Sequence, residues 1–209
     1  SLAGNAQLQG IPLGIYYTVS VENDTELAGE GTKNYENIVE WDGLTDSAGA
    51  SVTHTESVLK KSGIQVTDEN GNVTDHLSYS IIVNPQALDL DTESDQLILK
   101  DEMTVPDGAD IQFRPETVSV YYYDPDNETG GFRGDEMPSS RYQVEYDPDT
   151  HVITFTLPDQ LACVVVYEYR LDRGSAYGDI NIYNRASLNG QAGGSAGSSI
   201  TIEEEQSQA

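Results

Sequence analysis

Strict alternation is the feature that most narrows what this chain can fold into. Leu77, Tyr79, Ile81 and Val83 are interleaved with Ser78, Ser80 and Ile82. His151, Ile153, Phe155 and Leu157 alternate with Val152, Thr154 and Thr156, and Val165, Tyr167, Tyr169 and Leu171 lie opposite Glu168 and Arg170. Successive side chains leave a pleated strand on opposite sides, so period two marks strands with one buried face. Helix signals are nearly absent. Turn-forming clusters separate the runs: Asp68 to Asp75 around Asn70-Gly71, Asp124 to Gly131, and Asp147 to Thr150.

Short strands at this spacing predict an all-β fold, an immunoglobulin-like antiparallel β-sandwich. The 13 tyrosines suit it, since the ring packs while the hydroxyl meets water. With 10 basic against 36 acidic residues the net charge is −26. That charge repels a phosphate backbone, so no nucleic acid partner is expected. No apolar stretch is long enough to span a bilayer, so no membrane insertion is expected in these residues. The single cysteine, Cys163, cannot form an intrachain disulfide and reads as a small core residue.

Catalytic and metal signals are weak. The turn from Asp68 to Asp75 superficially resembles a calcium loop, but Val73 stands where that pattern needs glycine and the closing glutamate is missing. It reads as a hairpin turn; weak calcium binding at such acidic turns is the most that composition supports, with no other cofactor or metal expected. His54, His76 and His151 show no ligand spacing, and His151 reads as a partly buried core residue. Nothing resembles a nucleophile elbow, a phosphate loop or a zinc site, so the chain reads as a non-enzyme. Tyr121 and Tyr123, on one parity of their strand, offer either an aromatic binding platform or ordinary strand-face packing.

The chain contains an internal repeat. Ile15 to Val21 matches Val165 to Leu171; Asn37 to Gly43 matches Asn184 to Gly190; a small-residue loop follows each; then Ser51-Val52-Thr53 matches Ser199-Ile200-Thr201. This predicts the closing strands of a preceding module at 1–55, a whole module at 56–205 and a linker or tail at 206–209. The partial module has unpaired edges, and is expected to pack on the second module, pair with another chain, or be the remnant of a longer parent.

Some polar residues have the parity of core positions. Asp101 shares a face with Leu97, Leu99 and Met103, and Asn184 shares one with Ile180, Ile182, Ala186 and Leu188. A lone carboxylate or amide on an apolar face costs several kcal/mol, roughly, unless something pairs with it. A lysine near the module's first strand is the third member. Unbroken parity with Val58, Ile64 and Val66 selects Lys60; a bulge or turn at Gly63 admits Lys61.

Lys61-Ser62-Gly63, Tyr79 to Pro85 with Leu88-Asp89-Leu90, Leu97 to Met103 and Tyr183 to Leu188 together resemble the modules of Gram-positive surface adhesins and pilins that build internal Lys–Asn isopeptide bonds. The resemblance implies a bond from Lys61 to Asn184 promoted by Asp101, with Lys60 as the alternative amine. Asn37 is the equivalent of Asn184 in the preceding module. It further implies an extracellular, cell-wall-attached location, with export signal and anchor outside these residues. The implied role is a structural stalk. Its partners are other modules of the same surface protein, or a host extracellular protein or glycan if the module binds ligand. An accessory domain of a secreted enzyme is a further alternative.

The chemistry also follows from physical principles. Burial lowers a lysine's pKa and raises that of an aspartic acid, leaving a neutral nucleophile and a proton donor. Protonated Asp101 is then expected to hydrogen-bond the Asn184 carbonyl, and ammonia leaves as the amide crosslink forms.

Overall fold

The computed structural model describes residues 31–54, 57–176, 178–188 and 195–202. The first element pair is a hairpin of β1 (Gly31–Trp41) and β2 (Leu44–His54), a sheet of its own. Asp42 and Gly43 both have positive φ, 48° and 78°, which is the two-residue turn whose twist matches flanking strands. The stretch from Leu44 to Ala50 is therefore strand and not the small-residue loop expected between Gly43 and Ser51. A tight turn at Asp42-Gly43 leaves no room for a loop. The run Ile15 to Val21 and the tail at 206–209 lie outside the described residues.

The remaining strands form an antiparallel sandwich of the immunoglobulin-like class. One sheet contains β3 (Leu59–Thr67), β4 (Val73–Val83), β10 (Cys163–Asp172), β6 (Asp110–Tyr123) and β7 (Arg133–Glu136), in that spatial order. The other runs β12 (Ser195–Ile202), β11 (Ile180–Leu188), β5 (Gln96–Thr104), β9 (Val152–Pro158) and β8 (Gln143–Asp147). Each inner face follows the sequence alternation. Leu77, Tyr79, Ile81 and Val83 on β4 are buried, as are Ile153, Phe155 and Leu157 on β9 and Val165, Tyr167, Tyr169 and Leu171 on β10. Cys163 joins this core, and burial pushes its thiol up to about 12. His151 precedes its strand with φ 54°, a turn position, and its ring meets the Tyr146 hydroxyl at 3.2 Å.

The acidic turn after β3 is closed by its own backbone and by Asp68, whose carboxylate accepts the N–H groups of Asn70 and Asn72. The Asn72 side-chain amide, which donates to Asp68 Oδ2, and then the backbone bonds hold the carboxyl below its ordinary pKa. The β10–β6 ladder slips between Val166 and Glu168, where Pro115 removes a donor from β6. Tyr167 lies on β10 at that slip.

Candidate functional site

Asn84, Asp101, Asp159 and Asn184 are the buried polar residues among the described ones. Asn84 and Asp159 are satisfied by main chain. The Asn84 amide bonds the Leu88 N–H and C=O, and Asp159 accepts the N–H groups of Leu90 and Asp91, pinning the connection between β4 and β5. Asp101 and Asn184 differ: they hydrogen-bond side chains, and those side chains belong to the opposite sheet.

Lys61 reaches the site because β3 holds its register against β4 from Leu59 to Gln65, with Lys61 opposite Ile81. Leu59 and Lys61 thus face inward while Lys60 and Ile64 are exposed. The irregularity lies at Gln65 to Thr67 and not at Gly63. Parity drawn through Ile64 and Val66 points to Lys60 because it treats Ile64 as core, whereas Ile64 is 64% exposed. Lys60 therefore lies on the outer face.

Lys61 crosses the sandwich. Its Nζ donates to Asp101 Oδ1 at 2.5 Å, and neither side chain is exposed to solvent. Nζ also donates to the Tyr167 hydroxyl at 2.6 Å. That hydroxyl donates to Asp101 Oδ2 at 2.5 Å and accepts from Asn184 Nδ2 at 3.3 Å. The expected contact between Asp101 and the Asn184 carbonyl is replaced by this arrangement: the phenol of Tyr167 stands between carboxyl and amide. Asn184 Oδ1 is buried without a hydrogen-bond partner, as is Oγ of Ser198, the residue opposite Asn184 on β12. An acceptor left this way costs about 1–3 kcal/mol.

Aromatic rings wall the site. Tyr79 stacks on Tyr167 at 5.7 Å between centroids and 18° between planes, and the Lys61 ammonium lies 5.0 Å from the Tyr79 ring centre. Phe155 packs on Tyr167 from the other sheet. Burial lowers the Lys61 pKa, opposed by the charge and hydrogen bond of Asp101. Burial, with the adjacent carboxylate, holds the Tyr167 phenol well above its ordinary value, so it stays protonated. Small residues make the space. Asp101 lies between Ala186 and Ile153 on the neighbouring strands. A Cβ on Gly63 would sit 2.5 Å from Cε1 of Tyr79 and 3.2 Å from Ser198 Oγ.

Gly63→Ala is therefore expected to displace the Tyr79 ring and destabilise the sandwich by about 1–3 kcal/mol, the range for overpacked cores. Strand propensity alone gives the opposite sign, because alanine orders an extended chain more readily than glycine. Urea unfolding of the variant, made in an Asn184→Ala background so that no crosslink intervenes, decides between them.

Other candidate residues lie elsewhere. Asn37 is on β1 opposite Ala48, with an exposed side chain. Ile38 and Val39 beside it are also exposed. Tyr121 and Tyr123 are half-buried: the Arg133 guanidinium lies 5.7 Å from the Tyr121 ring centre, and Phe132 stacks on Tyr123. Near the far edges of the sheets, Phe113, Val118, Tyr142, Val144 and Tyr146 line a groove of about 650 Å³ between β6 and β8. Sequence reasoning missed Tyr167 as a site residue. Its available signal was a hydroxyl buried in an apolar run, which requires a partner.

No protein-family model matches the chain, and no curated protein matches it. Among solved structures it is similar to the collagen adhesin CNA from S. aureus, at 13% identity and TM-score 0.43 over 77% of this chain and 56% of that one. It is similar to the collagen-binding domain of Erysipelothrix rhusiopathiae surface protein RspB, at 12% and 0.40 over 85% and 62%. A third likeness is to the full-length major pilin SpaD from Corynebacterium diphtheriae, at 15% and 0.41 over 69% and 35%. The chain spans little more than half the length of the first of these.

Proposed function

We propose that this sandwich is a structural stalk module of an extracellular bacterial surface protein of adhesin or pilin type, tied by a self-made amide bond between Lys61 and Asn184. The observation that carries this reading is the buried contact of an amine, a carboxyl and an amide around one phenol hydroxyl. A charged lysine and aspartate fully withdrawn from water are a costly way to stabilise a core, and apolar residues of similar volume often serve as well or better. The arrangement is accounted for if the lysine is to become neutral and react.

Both reacting nitrogens hydrogen-bond the same oxygen, so the amine and the amide are near neighbours. Such positioning supplies much of the rate of an amide exchange. The reaction occurs once per molecule and yields no turnover. A second reading, a module that binds a host extracellular protein or glycan, is favoured by the aromatic groove between β6 and β8. The two readings are compatible.

Intact-mass measurement tests the bond. The wild-type chain is expected to be lighter than its sequence by one ammonia, and peptide mapping should join the segments carrying Lys61 and Asn184. Lys61→Arg should restore the full mass, whereas Lys60→Arg should retain the loss. A wild-type mass equal to the unmodified sequence overturns the reading.

A further inference from the structure

Forming the amide requires two protons to leave the lysine nitrogen. An ammonium carries three hydrogens and the product amide N–H carries one. Asp101, at 2.5 Å from Nζ, can take one, which converts the ion pair into a neutral amine and a neutral acid. The amine then attacks Cγ of Asn184. As the new C–N bond forms, its nitrogen must lose a second proton, and the departing Nδ2 must gain one to leave as ammonia.

Asp101 makes no hydrogen bond to Asn184 among the described residues. The Tyr167 hydroxyl contacts both reacting nitrogens, Nζ at 2.6 Å and Nδ2 at 3.3 Å.

We propose that Tyr167 carries this second proton, as a catalytic residue of the crosslinking reaction; the inference rests on the isopeptide reading above. Tyr167 accepts a hydrogen from Nζ and gives its own to Nδ2. Ammonia departs, the Cγ–Nδ2 bond breaks, and the phenol is regenerated. Before the reaction its hydroxyl donates to Asp101 Oδ2. Once Asp101 has taken the first lysine proton, that carboxyl no longer needs the donor, and the hydroxyl is free to turn towards Nδ2. The count closes: of the three ammonium hydrogens one stays in the amide, one rests on Asp101 and one is passed through Tyr167 to the ammonia. A phenol held protonated by burial suits this exchange, in which proton gain and loss are concerted and no phenolate accumulates.

The position is specific. Tyr79 and Tyr169 pack on the Tyr167 ring, yet the hydroxyl of Tyr79 donates to the Met103 sulfur and that of Tyr169 has no partner. Among the described tyrosines, Tyr167 is the one whose hydroxyl hydrogen-bonds Lys61, Asp101 and Asn184 together.

The test follows ammonia loss by intact mass after cell-free synthesis of the full chain, in samples quenched in acid denaturant over time. Tyr167→Phe keeps the ring and removes the hydroxyl. It is expected to slow the loss by at least about 100-fold, the lower end for a positioned proton-transfer group. 3-Fluorotyrosine at position 167 restores a hydroxyl of lower pKa. It should recover the reaction at a rate that tracks the acidity of the phenol, compared with 3,5-difluorotyrosine at the same position. A purely packing role predicts no such dependence. Reaction of folded Tyr167→Phe at about the wild-type rate overturns the proposal while leaving the crosslink intact. Should the phenylalanine variant fail to fold, equal rates for tyrosine and both fluorotyrosines overturn it equally. A wild-type chain that never loses ammonia overturns both this inference and the isopeptide reading.

Discussion

Asn184→Ala is expected to lower the thermal midpoint of the sandwich by about 10–20 °C. The proposed bond closes a loop of about 120 residues, and constraining an unfolded loop that long is worth about 4–5 kcal/mol by analogy with disulfides. In a domain of this size each kcal/mol moves the midpoint by about 2–4 °C. Packing losses work against so large a shift. Alanine removes an amide whose carbonyl already lacks a partner, so deleting it relieves a cost as well as a contact. A drop of the expected size therefore reports the missing tie. Calorimetry with and without reductant is the measurement. The wild-type midpoint should not respond to reductant, because the single cysteine, Cys163, is buried and unpaired. Equal midpoints for variant and wild type would remove the covalent tie from the account of stability.

Asp101→Ala should do more damage than any other substitution at the site, for a different reason. The crosslink is lost, and an amine with no solvent exposure is left without its counter-charge. Breaking one partner out of a buried pair costs about 3–5 kcal/mol, because the survivor keeps its desolvation penalty. Compared with Asn184→Ala, which is equally unlinked, Asp101→Ala is expected to unfold earlier in urea by that amount. Lys61→Met with Asp101→Leu removes both charges and should recover most of the difference. The comparison isolates the electrostatic cost from the covalent gain, since none of the three proteins can crosslink. If Asp101→Ala and Asn184→Ala unfold together, the ion pair is not buried in solution.

Much of the fold was legible in the residues. Alternation identified the inward faces of β4, β9 and β10, because a strand with one wet side has to place its apolar side chains two apart. The same parity marked Asp101 and Asn184 as core polars. It was ambiguous at the lysine. Ile64 is apolar but exposed on an edge strand, and the ladder irregularity lies past Gln65, so the apolar run suggested the wrong parity for Lys60. Tyr167 was hidden by its own ordinariness. On a face with Val165, Tyr169 and Leu171 its ring is expected in the core, and only three-dimensional proximity shows where the hydroxyl points. Sheet membership was equally beyond reach. The residues alone do not show that Lys61 and Asn184 belong to opposite sheets and meet across the interior. The tight turn at Asp42-Gly43 was missed because the small residues after it resemble a loop in composition, although glycine at positive φ there lets the strands pair at once.

The placement of Lys61 near the start of β3 and Asn184 on the penultimate strand has a mechanical consequence. A pull applied to both ends of the sandwich enters at β3 and leaves through β12, which is paired to β11. Once formed, the proposed amide would short-circuit that route, so tension would run from the lysine stem directly into the asparagine's strand. Strands β4 to β10 would hang beside the rope and not in it. Their loops, including those around the groove between β6 and β8, would then be free to change length and sequence without weakening the cable.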